Sequence, residues 1–406
     1  MVLKKAILAA ALAVLVLINI PAPLRSETEA PASVTIPVRV YSGGQFVADL
    51  GLQDFVLLEN GVPQKVDALY LVDKAAIVRK EGAGDLIPDT SRKFYMLFQL
   101  FEYNPKLSEA IHHLFNEGLL PGDTLYIQTP MKSYTLSSIS FDQKPRDVLA
   151  KEMDGIVRRD IIQGGLLYKS QVRELKRFVQ SIAGSNPMAG GNEDSGESAS
   201  LFGLEYLLGQ YRDSLAKMES MRNIDEDKII GFARALKQQP GQKFIYYIYQ
   251  REFRPEISPT IVTEIISENQ ENQNVLADIQ DLFQFYRRNV SLDPAKIISA
   301  FTDASVDFNF LFMGKTPENI AGIVMREQSE DIFQLYSRVA QATGGIIDNS
   351  QNPASAIKDA LKMREKCYLL VFTPSPGPKD GTFKPITVQV KDKDYKVVSR
   401  QGYVLN

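Results

Sequence analysis

Residues 93–105 read KFYMLFQLFEYNP. The nearly unbroken apolar run from Phe94 to Leu100 is what a strand covered on both faces requires. Gln99, Phe101, Glu102 and Tyr103 stand at its carboxyl end, and Pro105 follows where a helix can begin. In a sheet of strands alternating with helices, that end is where ligands bind. The residues delivered here are an amide, two rings and one carboxylate, which is not a catalytic set.

Further strands are expected on either side of a series of helices. Apolar runs at 124–128, 132–136, 243–249, 306–312 and 367–372 read as strands. Helical periodicity marks 107–116, 170–183, 201–220, 225–238, 331–342 and 353–364. The alternation predicts an α/β fold class: a doubly wound, mostly parallel sheet spanning residues 93–373. Two stretches interrupt it. Residues 184–200 form a Gly/Ser/acidic loop, and 258–289 carry an apolar stripe broken by ENQENQN, which predicts two helices or one with a solvated centre.

The flanks read differently. In residues 32–73, period-two alternation at Val34, Ile36, Val38 and Val40 and the turn signal at Glu59-Asn60-Gly61 predict a small β segment. Residues 74–92 read as a linker. Residues 374–406 are β again, with Ile386, Val388 and Val390 alternating. Neither flank buries a core alone, so the two are expected to pair as a small β-sandwich-like domain.

The 406-residue chain has 44% hydrophobic and 23% charged residues. Lys4 and Lys5 precede an apolar core at 6–20, the pattern of a secretory signal over residues 1–26. The expected location is secreted or periplasmic, with an uncleaved N-terminal membrane anchor as the alternative. Loss of Lys4, Lys5 and Arg25 would move the net charge from −3 to −6. Nothing here forms a nucleic-acid footprint. Cys367 is the single cysteine, so no internal disulfide forms.

Three stretches carry a family resemblance. VTIPVRVYSGGQFVADLGLQDFVLLENGVPQKVDAL near the start, LLPGDTLYI at 119–127, and QLYSRVAQATGGIIDN followed by CYLLVFTPSPGPKDGTFKPITVQV near the end resemble the bacterial VWFA-related domain proteins. The resemblance is weakest over 146–238. It implies a von Willebrand factor A-like fold in an exported protein. Metal-binding members carry Asp-x-Ser-x-Ser after the first strand and an Asp after the fourth. The matching positions here are Gln99, Phe101 and Tyr103, and then Gln250. A hard divalent cation needs converging, partly anionic oxygen ligands, so the resemblance implies a degenerate site without metal.

The expected function is therefore metal-independent binding of another envelope or extracellular protein, without cofactor, nucleic acid or enzymatic activity. The candidate protein-binding edge is Glu102, Tyr103, Arg251, Glu252 and Phe253, since exposed rings and arginines are what protein-binding patches use. One alternative is a metal-dependent adhesion module with a displaced cation site at Glu102, Glu252 and Glu193 or Asp194. Others are a hydrolase and a structural cell-surface component. His112 and His113, the only histidines, diverge by about 100° on a helix and cannot share a metal. With no third His and no reactive Cys, nucleophilic triads have no candidates beyond these two.

Overall fold

The computed structural model describes residues 33–83, 86–184, 197–222, 224–287, 292–374, 381–391 and 394–404. The expected leader, most of the 184–200 loop, and Glu193 and Asp194 lie outside these residues. Among the described residues, no helix is long and apolar enough to cross a membrane.

Among the described residues four sheets form, and only one of them contains parallel pairs. In that mixed sheet Ile347–Asp348, Val306–Met313, Gln242–Gln250, Arg92–Gln99 and Thr124–Gln128 lie side by side in parallel, and Ser133–Leu136 closes the edge antiparallel. Phe94, Met96 and Phe98 enter the core on one face, and Tyr95 and Leu97 enter the core on the other.

The other three sheets are antiparallel. In the largest, Lys366–Phe372 is central, paired with Val34–Ser42 on one side and Val66–Asp73 on the other. Lys396–Ser399 and Ala76–Gly82 form its outer strands. A second sheet joins Gly402–Val404, Phe383–Val390, Phe55–Glu59 and Val62–Gln64. A shared core between these two sheets contains Val38, Leu57, Tyr368, Phe372, Ile386 and Val388. The fourth is a two-stranded ribbon of Phe253–Ile257 and Ile323–Glu327.

The expected fold class is thereby corrected. The chain is a mixed α/β protein whose sheets are mostly antiparallel, with a single mixed sheet, and not a doubly wound, mostly parallel von Willebrand factor A-like sheet. The physical reason lies in KCYLLVF. Its continuous apolar run reads as a strand of the parallel sheet, but any central strand with both faces covered needs such a run, whatever its neighbours' direction. Here one face meets the sandwich core through Tyr368, Leu370 and Phe372, and the other carries Cys367, Leu369 and Val371. Cys367 is buried and free. Part of the expected linker is also a strand, since 76–82 pairs with 66–73.

Four helices pack as a cap over the carboxyl end of the mixed sheet. Leu166–Gly184, Glu197–Ser220, Pro259–Glu268 and Gln273–Phe285 share a core with Phe101, Ile257 and Ile323. The 258–289 stretch is two helices because each has its own N-cap. The Ser258 side chain accepts from Ile261 N, and the Asn272 side chain accepts from the backbone of Asn274 and Val275. A side-chain acceptor at the N-cap satisfies otherwise orphaned N–H groups, so the polar ENQENQN segment serves as a break.

Candidate functional site

The end of the 92–99 strand is stapled rather than open. Gln250 ends the neighbouring strand and is buried. Its Oε1 accepts from Phe101 N at 2.9 Å and from Glu102 N at 3.0 Å. This side chain thus holds two backbone donors together, work that a neutral amide oxygen does without a counter-ion. Phe101 is buried under Tyr168, with ring centroids 3.9 Å apart and planes 17° apart.

The candidate edge residues separate into two groups. Glu252 and Phe253 are buried. Glu252 accepts from Tyr249 Oη at 2.5 Å and pairs with the Arg222 guanidinium, which also donates to Gln328 Oε1 at 2.9 Å. The Tyr168 hydroxyl bridges the backbone of Phe253, accepting from its N–H at 2.8 Å and donating to its carbonyl at 3.0 Å. Burial pushes the Tyr168 hydroxyl pKa up, which keeps it a donor. Tyr103 is half-buried: its hydroxyl bonds Asp154, and Arg158 lies over its ring at 5.6 Å. Burial and the bond to Asp154 push its pKa up. Gln99 is half-buried at its strand end. Glu102 and Arg251 are half-exposed and reach a surface cleft. Glu252 therefore offers no open binding surface, and Phe253 contributes only a largely buried wall.

That cleft, about 320 Å³, lies between the strand ends and the cap. Phe101, Tyr168, Phe253 and Met325 supply apolar walls, and Lys169, Arg173, Lys176, Arg251 and Lys315 supply cations. Two carboxylates, Glu102 and Glu318, also line it. Glu102 contacts Lys315 at 2.8 Å and Lys169 at 3.9 Å, and Glu318 contacts Lys176 at 2.6 Å. Arg251 pairs with Glu327 at 3.4 Å. Among the described residues, Arg173 has no carboxylate within ion-pair distance, nor has Arg177 one turn along. Lys176 and Arg177 continue the basic surface beyond the cleft with Arg173. Leu166 and Leu167 next to it are exposed.

The sequence reading missed these cations, although the signal is present. Tyr168, Gln171, Leu175, Val179 and Ile182 form the buried stripe of the 166–184 helix. Helical spacing then gathers 169, 173, 176 and 177 on an outward face. Lys315, far away in sequence, gives no local signal. His113 Nδ1 lies 3.2 Å from Glu117, and no group of three or more His, Cys, Asp or Glu suited to a metal occurs among the described residues.

Comparison with known proteins finds no matching family model, curated protein or solved structure.

Proposed function

We propose that this chain is a non-enzymatic binding module whose carboxyl-edge cleft takes an acidic, partly apolar segment of another protein, without a metal. The observation that carries this is the surplus of cations over carboxylates around an apolar-walled cleft. Among the described residues Arg173 and Arg177 have no carboxylate within ion-pair distance, and Leu166 and Leu167 expose apolar surface beside them. An acidic partner segment gains steering and register from such a field, while its apolar side chains supply the contact. The leader-like apolar stretch at 6–20 supports a partner in the envelope or outside the cell.

Fluorescence anisotropy with a labelled Glu/Leu peptide, against a Lys/Leu control and in the presence of chelator, tests the reading. We expect saturable binding that weakens with salt. The pair R173E and R177E should lower affinity about tenfold or more. Equal binding of both peptides, or no loss on charge reversal, would sink the proposal. A strict requirement for Mg²⁺ or Ca²⁺ would establish the displaced-cation alternative, and preference for anionic vesicles over the peptide would make the ligand a lipid surface.

A further inference from the structure

At the opposite end of the mixed sheet, a cavity of about 750 Å³ opens between that sheet and the antiparallel sheet of the chain's two ends. Its walls come from residues far apart in sequence, including Arg39, Lys237, Lys243, Asp307 and Arg400. Three of the four cations are deeply buried: Arg39 is 5% exposed, Lys243 6% and Arg400 7%.

The carboxylates nearby are already engaged. Asp307 is held by Arg39 at 2.8 Å and by Arg364 at 2.8 Å. Asp303 binds Lys237 at 2.7 Å and accepts from Val404 N at 2.8 Å. Asp89 is exposed and accepts from Ser91 N at 2.8 Å. Among the described residues, Lys243 and Arg400 are left with backbone carbonyls. Lys243 Nζ donates to Gln239 O at 2.8 Å, and Arg400 donates to Thr35 O at 2.8 Å and, at 3.4 Å, to Thr302 O and Asp303 O. The Nε atoms of Arg39 and Arg400 are buried without a hydrogen-bond partner.

Two cations with no carboxylate partner among the described residues, and two unused guanidinium donors, are costly in one buried wall unless an anion joins them. We propose that this cavity is a binding site for a tetrahedral oxyanion, sulfate or phosphate, held by Lys243 and Arg400 with Arg39 behind them. Leu86, Ile87 and Pro240 on the same walls make room for an apolar body attached to the oxyanion. The site is independent of the acidic-segment cleft and lies at the other edge of the sheet.

Titration fits the geometry. Burial, with Arg400 and Lys93 nearby, lowers the Lys243 pKa to about 7, and Asp303 and Asp89 only partly oppose this. Burial also lowers Arg400 to about 10. An anion in contact favours protonated Lys243, so its affinity is highest below about pH 7 and falls above it. Sulfate is the suitable probe because it stays doubly charged across this range.

Thermal unfolding of the full chain in sulfate, against chloride at equal ionic strength, reads binding by linkage. We expect sulfate at about 100 times its dissociation constant to raise Tm by about 2 °C or more at pH 6, and less at pH 8.5. K243M and R400Q should each lose that increment. A second readout uses the wild-type protein and needs no variant to fold. The neutral amine of Lys243 adds to the aldehyde carbon of pyridoxal phosphate, water leaves, and borohydride delivers hydride to the imine carbon. The stable secondary amine is then located by mass spectrometry. Lys243 should label ahead of the surface lysines, and sulfate should slow it several-fold. Equal sulfate shifts in wild type and K243M, or Lys243 labelling indifferent to sulfate, would overturn the proposal.

Discussion

Replacing Gln250 by Met tests whether the end of the 92–99 strand is held by one amide. Met keeps the length and most of the volume of Gln but removes the acceptor. Phe101 N and Glu102 N, now 2.9 and 3.0 Å from Oε1, would both lose their partner. Phe101 is 2% exposed, so water does not readily replace the acceptor there, whereas half-exposed Glu102 is better placed to recruit it. One fully stranded donor costs about 1–3 kcal/mol, and the second adds a fraction of that. The expected loss is therefore about 2 kcal/mol, with Gln250→Ala costing about 1 kcal/mol more for the space it leaves. Urea denaturation measures the total. Amide hydrogen exchange locates it: exchange at 101 and 102 should rise about tenfold for each 1.4 kcal/mol of local opening, beyond any change shared with residues 94–98. A Q250M protein within about 0.5 kcal/mol of wild type, with protection at 101 and 102 intact, would refute the staple.

Two further perturbations probe the same frame. A Cβ on Gly165 would lie 2.1 Å from the Phe101 carbonyl oxygen and 2.8 Å from its carbon, so backbone must move. Gly165→Ala should cost about 1–3 kcal/mol in urea denaturation, while Gly155→Ala, in a helix with nothing within 4 Å, should stabilise by up to about 1 kcal/mol; equal effects would refute the close approach. Lys243, with its folded pKa lowered from 10.5 to about 7, binds its proton more weakly folded than unfolded. In anion-free buffer, stability should therefore rise between about pH 7 and pH 10 and be insensitive to this group below that window, with a slope of at most about 1.4 kcal/mol per pH unit. Denaturation curves across that window should lose this component of the slope in K243M, and an unchanged slope would refute it.

What the sequence made legible follows from the range of each interaction. Helices and strands are local, so apolar periodicity located the 92–99, 124–128, 242–250 and 306–313 strands and the 166–184 and 330–343 helices to within a few residues. Strand partners are not local. KCYLLVF carries the burial pattern of any covered strand, and only the partners' positions decide that it lies antiparallel between 34–42 and 66–73. The same limit governs the sites. Gln250 is recognisable in sequence as a polar residue at the end of an apolar strand, but its acceptor role depends on two N–H groups 149 and 148 positions away. The exposure of Phe253 was undecidable because Tyr168, which covers its backbone, is 85 residues upstream. The oxyanion cavity is the extreme case, since Arg39, Lys243 and Arg400 meet only because the chain's two ends close into one sheet against the mixed sheet. In sequence each is an ordinary cation among the chain's 46. Burial beside carboxylates already engaged elsewhere gives Lys243 and Arg400 their chemistry, and that relation exists only in the folded chain.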